Sequence, residues 1–240
     1  LRRRLRATRI ASFDAYCDFL FDGGGLESES LHLIDAVTTN KTDFFREPKH
    51  FEYLVGSALP EILRNFSERR IRAWSAASPN GAEPSTMAMV LDDCLARTAP
   101  DREFFVLATD LSTEVLHKAH KGIYTEDLLQ PVPAEMMRKY VMRPTARHRH
   151  DVRISPSLRS RVGFARLNLM DASYPVGDAM HIIFCRNVMI YFDKPTQQRV
   201  LSRLCDCLVP GGYLFIGHSE TVAGFDLPLR QVANTIFKRV

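Results

Sequence analysis

Two observations predict an α/β fold built on a doubly wound, Rossmann-like sheet. Short apolar runs recur at Ile71 to Ala77, Glu103 to Thr109 and Met180 to Cys185, and each is followed by a segment of helical length. Strands this uniformly apolar are covered on both faces, the mark of a parallel sheet. The second observation is composition: 45% hydrophobic and 25% charged residues, with 12 Gly and 13 Pro, form a globular profile. That excludes collagen-like, low-complexity and disordered chains. A length of 240 residues supports one main domain with at most a small companion.

Residues 1 to about 38 read as helices. Ser12 is an N-cap for Phe13 to Phe21, Gly23-Gly24-Gly25 stops that helix, and Ser30 caps Leu31 to Val37. The chain opens inside a helical pattern, which predicts that earlier residues precede it. The expected division is a small N-terminal helical domain and linker over 1–38, then a main domain over 39–240. After Glu47, Pro48 stands at a first-turn position with Phe51, Leu54, Val55 and Ala58 at helical spacing, and Pro60 opens a further helix to about Glu68. The three apolar strands then alternate with helices from about Pro84 to Ala96, Thr113 to His120 and Thr196 to Leu208. Tyr213 to Gly217 is a strand after the Pro210-Gly211-Gly212 turn. Leu229 to Val232 and Thr235 to Val240 form an antiparallel edge hairpin around Ala233-Asn234. The arginine-rich stretch of about 142–162 is too long for a simple connection and reads as a small β insertion.

The net charge of +4 is unevenly placed. Arg2, Arg3, Arg4, Arg6 and Arg9 crowd the first turns, and Arg143, Arg147, Arg149, Arg153, Arg159 and Arg161 fill the insertion. Either could meet nucleic acid, but with no RNA-binding signature or zinc-finger spacing beside them an acidic protein partner is supported at least as well. No apolar run approaches the ~20 residues that cross a bilayer, and the N-terminus lacks the hydrophobic stretch of a signal peptide. A cytoplasmic protein without membrane insertion is expected. Five scattered cysteines predict reduced core thiols. Cys205-x-Cys207 has no second pair, and neither His117 with His120 nor His148 with His150 has an evident third ligand, so no metal is expected.

In open α/β sheets ligands bind beyond the carboxyl ends of the strands. The first strand is followed by Ser75-Ala76-Ala77-Ser78-Pro79-Asn80-Gly81-Ala82-Glu83-Pro84, a small-residue loop that lets a ligand approach the backbone and sets Glu83 before a helix. The second strand is followed by Asp110, placed to accept from the two hydroxyls of a ribose. Taken alone, each acid is best read as a helix cap. Together, on successive strand ends, they favour a nucleoside. The absence of G-x-G-x-x-G and of G-K-[ST] argues against a dinucleotide or a triphosphate. S-adenosylmethionine is the commonest phosphate-free nucleoside cofactor of this architecture.

Longer motifs carry a resemblance over nearly the whole chain. Thr38 to Glu47 (Thr-Thr-Asn-Lys-Thr-Asp-Phe-Phe-Arg-Glu), Trp74-Ser75-Ala76-Ala77 with Gly81 and Glu83-Pro84, Asn168-Leu169, Cys185-Arg186-Asn187-Val188-Met189-Ile190-Tyr191-Phe192 and Gly217-His218-Ser219-Glu220 resemble the chemotaxis receptor glutamate methyltransferases, the CheR family. The resemblance implies a class I S-adenosylmethionine-dependent methyltransferase fold with an N-terminal helical domain and an inserted β subdomain. It also implies that Asn40, Thr42, Arg46, Glu83, Asp110, Asn168, Leu169, Arg186 and Asn187 hold the cofactor. Its implied activity is methyl ester formation on glutamates of a chemotaxis receptor's cytoplasmic domain by a monomeric enzyme. Catalysis by positioning falls to Arg46 or Arg186 as a carboxylate fork and to Tyr191 near the transferred methyl. Phe44 and Phe45 read as core, and His218 as a structural histidine bordering the site.

Two departures stand in the loop. The family's usual tyrosine is Ser85 here, and Ala82 precedes the retained Glu83. They leave an alternative, a catalytically weak scaffold or sensor that keeps the fold. A small-molecule or nucleic-acid methyltransferase is disfavoured by the lack of an Asn/Asp-Pro-Pro-Tyr-like motif.

Overall fold

A computed structural model describes residues 1–37, 42–144 and 151–240. Two compact units result, Leu1–Lys41 and Thr42–Val240.

The first unit holds helices α1 (Arg2–Thr8), α2 (Phe13–Phe21) and α3 (Leu26–Val37). Ser12 caps α2 as expected, its Oγ accepting from the Ala15 N–H at 3.1 Å. Ser30 does not cap α3, which starts a turn earlier, directly after the glycine run, with Glu27 and Glu29 in the first turn where acids are favoured. Glu29 joins the helices: it is buried and accepts from Arg4 Nη2 at 2.6 Å and Tyr16 Oη at 2.8 Å.

In the second unit a helical approach, α4 (Pro48–Tyr53), a π-helical turn (Leu54–Ala58) and α5 (Leu59–Asn65), leads to a seven-stranded sheet. Its strands are β1 (Arg70–Ala76), β2 (Glu103–Asp110), β6 (Val162–Arg166), β7 (Met180–Cys185), β8 (Leu208–Ile216), β9 (Leu229–Ala233) and β10 (Ile236–Arg239). They lie in the order β6-β2-β1-β7-β8-β10-β9, all parallel except β10, which pairs antiparallel with both its neighbours. The final strand is therefore inserted between β8 and β9 rather than left at the edge. Period-two alternation divides the core. Ile71, Ala73, Ile182, Phe184, Tyr213 and Phe215 face a layer with Met87, Leu91 and Leu95 of α6 (Ala82–Thr98). Trp74, Ala76, Ile183, Cys185, Leu214 and Ile216 face Val200, Leu201 and Leu204 of α10 (Lys194–Asp206).

A second sheet, β3 (Ile123–Thr125), β5 (Asp151–Ile154) and β4 (Val141–Met142), follows α7 (Thr113–Lys121). It reaches back well before the stretch of about 142–162, and it includes α8 (Ala134–Tyr140) between β3 and β4. The end of that stretch belongs instead to the main sheet, where β6 begins at Val162 after α9 (Pro156–Arg159). Edge strand β6 gave little apolar signal because only Val162 is buried and Ala165 and Arg166 are exposed. Among the described residues no helix is long and apolar enough to cross a membrane. Cys94, Cys185 and Cys205 are buried thiols, but Cys17 is exposed on α2, against the expectation for it.

Candidate functional site

The strand order turns the chain outward from β1 through β2 to β6 and then back across to β7, so the topological switch point lies between β1 and β7. Backbone strain gathers there. Of the described non-glycine residues with positive φ, Phe45, Glu47, Ala77, Asn187 and Thr235 all belong to this end of the sheet or its cover; the exception is Arg9. Such conformations cost energy and persist where surrounding contacts over-determine them.

Those contacts run through Arg186, whose side chain is 2% exposed. Its Nε donates to Glu83 Oε2 at 2.7 Å, and its Nη1 donates to the Arg46 carbonyl at 2.7 Å and to His50 Nδ1 at 3.2 Å, with Glu47 Oε2 at 3.5 Å. The guanidinium also lies over the Phe51 and Phe184 rings, at 5.3 and 5.1 Å. Glu83 is completed by Ser75 Oγ, which donates to Oε1 at 2.6 Å. Glu83 therefore does not cap α6. Asn80 Oδ1 takes the Ala82 N–H at 2.9 Å instead, and Gly81 supplies the left-handed turn, where a Cβ would lie 2.8 Å from both Ala119 Cβ and Tyr124 Oη.

The segment from Thr42 to Glu47 is stitched across these strand ends. Asn80 Nδ2 donates to the Thr42 carbonyl at 2.9 Å, the Phe45 N–H to Thr86 Oγ1 at 3.2 Å, and Asn187 Nδ2 to Glu47 Oε1 at 3.3 Å. Phe44 is fully buried edge-on against Tyr124, as a core residue. Asn40 lies outside the described residues, as do Thr38, Thr39, Lys41, Arg147, His148, Arg149 and His150.

Asp110 closes β2. Its Oδ1 accepts from the Ser112 N–H at 3.0 Å, while Ser112 itself caps α7, so the acid is an Asx turn beside the helix and not its cap. The Leu167 N–H donates to the Asp110 carbonyl at 3.0 Å, which sets the end of β6 and Asn168 next to Asp110. Asn168 Oδ1 holds the Met170 N–H at 2.9 Å. Leu169 is buried, with its carbonyl accepting from Tyr174 Oη at 2.6 Å. Tyr191 is 62% exposed, in the short 3-10 turn after β7. Ser85 lines a small apolar cleft with Ala119, Ile154, Leu158 and Phe164, so the departure from the family tyrosine faces the inserted sheet.

Three polar groups were given no role by the sequence, although Glu47 and Glu220 stand in the family motifs. His50 is buried, and because Arg186 donates to Nδ1, its Nε2–H donates to Thr235 Oγ1 at 2.9 Å. Burial first, and then the Arg186 charge, hold its pKa down to about 4. Glu47 faces it, with His218 Nε2 at 3.8 Å from Glu47 Oε2. Glu47, His50 and His218 offer atoms within 4.8 Å of one another, a spacing that suits a metal. The Arg186 guanidinium already supplies the cation to Glu47 and His50. Glu220 is the third group, buried between the loops after β7 and β8.

A family profile described as the CheR methyltransferase SAM-binding domain matches residues 40–237. This chain belongs to the CheR methyltransferase family. Similar relatives include chemotaxis protein methyltransferase 2 of Pseudomonas aeruginosa, 38% identical over 99% of this chain and 82% of that protein. The chemotaxis protein methyltransferase of Escherichia coli is 40% identical over 99% of this chain and 80% of its own length. That of Salmonella typhimurium is 42% identical over 92% and 73%. Among solved structures, an O-methyltransferase family protein from Burkholderia thailandensis matches 70% of this chain and 39% of its own at 19% identity and a TM-score of 0.38. The fold is that of a class I methyltransferase, the cofactor of the family is S-adenosylmethionine, and the activity is methyl transfer in chemotaxis.

Proposed function

We propose that the protein forms methyl esters on glutamate side chains in the cytoplasmic domain of a chemotaxis receptor. The observation that carries this reading is the convergence of Arg46, Glu47, Glu83, Arg186 and Asn187 at the β1/β7 switch point, beside Asp110 at the end of β2, in a chain of this family.

The residues present fit the cofactor. Carboxylates outnumber cations at these strand ends: Glu83 and Glu47 meet the Arg186 guanidinium, Asp110 and Glu220 are held by backbone N–H groups, and His50 is held neutral. Such a balance suits a nucleoside carrying a sulfonium and an ammonium against one carboxylate. Asp110 would take the ribose hydroxyls, with Thr42, Asn168, Leu169 and Asn187 completing the cradle; Asn40, which the family motif also implies, lies outside the described residues. Bound there, the cofactor supplies an electrophilic methyl on a sulfonium.

Transfer to a carboxylate breaks C–S, forms C–O and moves no proton. A substrate glutamate with a reference pKa of about 4.3 is already ionised, so no general base is required. The protein's part is orientation and exclusion of water. Arg186 is committed to Glu83 and the Arg46 carbonyl, which makes it an organiser of the cradle; the Arg46 guanidinium is the fork proposed to orient the substrate carboxylate. Tyr191, at the exposed rim, stands where a receptor segment would enter.

The test is methyl incorporation into a purified receptor cytoplasmic fragment from labelled S-adenosylmethionine, with calorimetric binding of S-adenosylhomocysteine to the native protein and Asp110→Ala. Base-labile label, and binding weakened in the variant, are expected. Base-stable label refutes the glutamate ester, and cofactor binding without incorporation favours the scaffold.

A further inference from the structure

Strands β7 and β8 are parallel neighbours with Cys185 paired to Ile216, so the loops after them leave the sheet side by side. The β7 loop carries Arg186, Asn187 and Tyr191. It turns sharply, with Asn187 at φ 58°, and this points three successive backbone N–H groups in one direction. Such a run of N–H groups is an anion-binding nest. The anion here is part of the protein. Glu220 Oε1 accepts from the Val188 and Met189 N–H groups at 2.8 and 2.7 Å, and Oε2 accepts from Asn187 N–H at 3.0 Å and Gly217 N–H at 2.5 Å.

Nothing else among the described side chains holds these donors as a set, and the carboxylate is 7% exposed. Gly217 makes the close approach possible, since a Cβ there would fall 2.6 Å from Asn187 Nδ2 and 2.9 Å from Glu220 Oε2. Three consequences follow for the site. Asn187 is turned so that Nδ2 reaches Glu47 at 3.3 Å, the Arg186 head is delivered to Glu83, and the short turn bearing Tyr191 is fixed at its first residue, Met189.

We propose that Glu220 is a positioning residue for the methyl-transfer site, holding the loop after β7 in its working shape through an internal four-donor carboxylate clamp. The consequence for catalysis rests on the methyltransferase reading above; the clamp itself does not.

Glu220→Gln tests both, because it keeps size and shape but turns one acceptor oxygen into a donor facing N–H groups. Amide hydrogen exchange reads the clamp directly and needs no cofactor. Exchange of Asn187, Val188 and Met189 should accelerate at least about tenfold while the β7 amides Ile182 to Cys185 stay protected. Unchanged exchange at those three amides overturns the proposal. Affinity for S-adenosylhomocysteine and turnover, measured well below the unfolding midpoint, should each fall about tenfold or more. The control is Leu95→Ala in the last turns of α6, a buried residue of the other core layer from Val188 and Met189, which lowers thermal stability away from the loop. Native-like affinity and turnover in Glu220→Gln, or an equal loss in Leu95→Ala, overturn the positioning role. If the native protein binds no cofactor while the Glu220→Gln amides exchange faster, the clamp stands and the methyltransferase reading falls.

Discussion

Arg186 is the group on which the site's polar interior most depends, and a double-mutant cycle with Glu83 measures by how much. Arg186→Met keeps an apolar side chain but takes the guanidinium from over Phe51 and Phe184, strands Glu83, whose side chain is 9% exposed and retains Ser75 Oγ, and removes the donor to the Arg46 carbonyl. Removing one partner of a buried pair costs about 3–5 kcal/mol, because the other charge stays buried and uncompensated. Glu83→Gln is milder, since Arg186 still finds Glu47 Oε2 and the Arg46 carbonyl; loss of one charged hydrogen bond is worth about 1.5–3 kcal/mol. The double variant carries no stranded charge at this pair, so it should be less destabilised than the sum of the singles, with a coupling of roughly 2 kcal/mol. Urea unfolding at constant temperature gives all four corners, and thermal unfolding should place Arg186→Met roughly 6–20 °C below the native protein for a chain of this length. A loss below about 1 kcal/mol in Arg186→Met, or strictly additive singles, would refute the view that this pair is what holds the cradle shut.

Stability should fall as pH drops from about 6.5 towards 4, because His50 and His181 are both buried, with pKa values pushed down to about 4 mainly by desolvation, and take up protons on unfolding. Each contributes about 2 kcal/mol by pH 4.5, and His50→Gln should flatten the slope measured by urea titrations across that window. Ser78→Ala should raise stability by about 1 kcal/mol, since the buried Ser78 Oγ has no hydrogen-bond partner among the described residues; a lower unfolding midpoint would show that the hydroxyl is held. Gly81→Ala should cost about 2–4 kcal/mol from the left-handed backbone and the contacts at 2.8 Å, a loss that thermal unfolding would register.

How far the sequence reached depended on the kind of signal each residue leaves. Strands β1 and β7 are buried over most of their length, so apolar residues dominate them despite Arg72, Ser75 and His181, and their ends fell within a residue of those predicted. Edge strand β6 and the two-residue β4 bury too little to leave a pattern, and the small sheet was accordingly placed too late in the chain. The site behaved the same way. Glu83 and Asp110 stood out because an acid at a strand end is chemically conspicuous, yet a sequence gives no sign of which of two acids caps a helix; the structure assigns both caps elsewhere, to Asn80 with Gly81 and to Ser112. Glu47, His50 and Glu220 were invisible as a group because their partners lie 139, 136 and about thirty residues away, on Arg186 and on the backbone of its loop. Backbone donors carry no residue identity at all, so a carboxylate that binds four of them resembles any surface glutamate until the fold brings two loops together. What makes the site legible once folded is strain: positive φ at Phe45, Glu47, Asn187 and Thr235 marks places where side-chain hydrogen bonds accompany a backbone held against its own preference. The family motifs Phe-Phe-Arg-Glu, Arg-Asn-Val-Met and Gly-His-Ser-Glu are these same residues, which suggests one physical reason for their being found together: each supplies a donor, an acceptor or a turn to a single interlocked network.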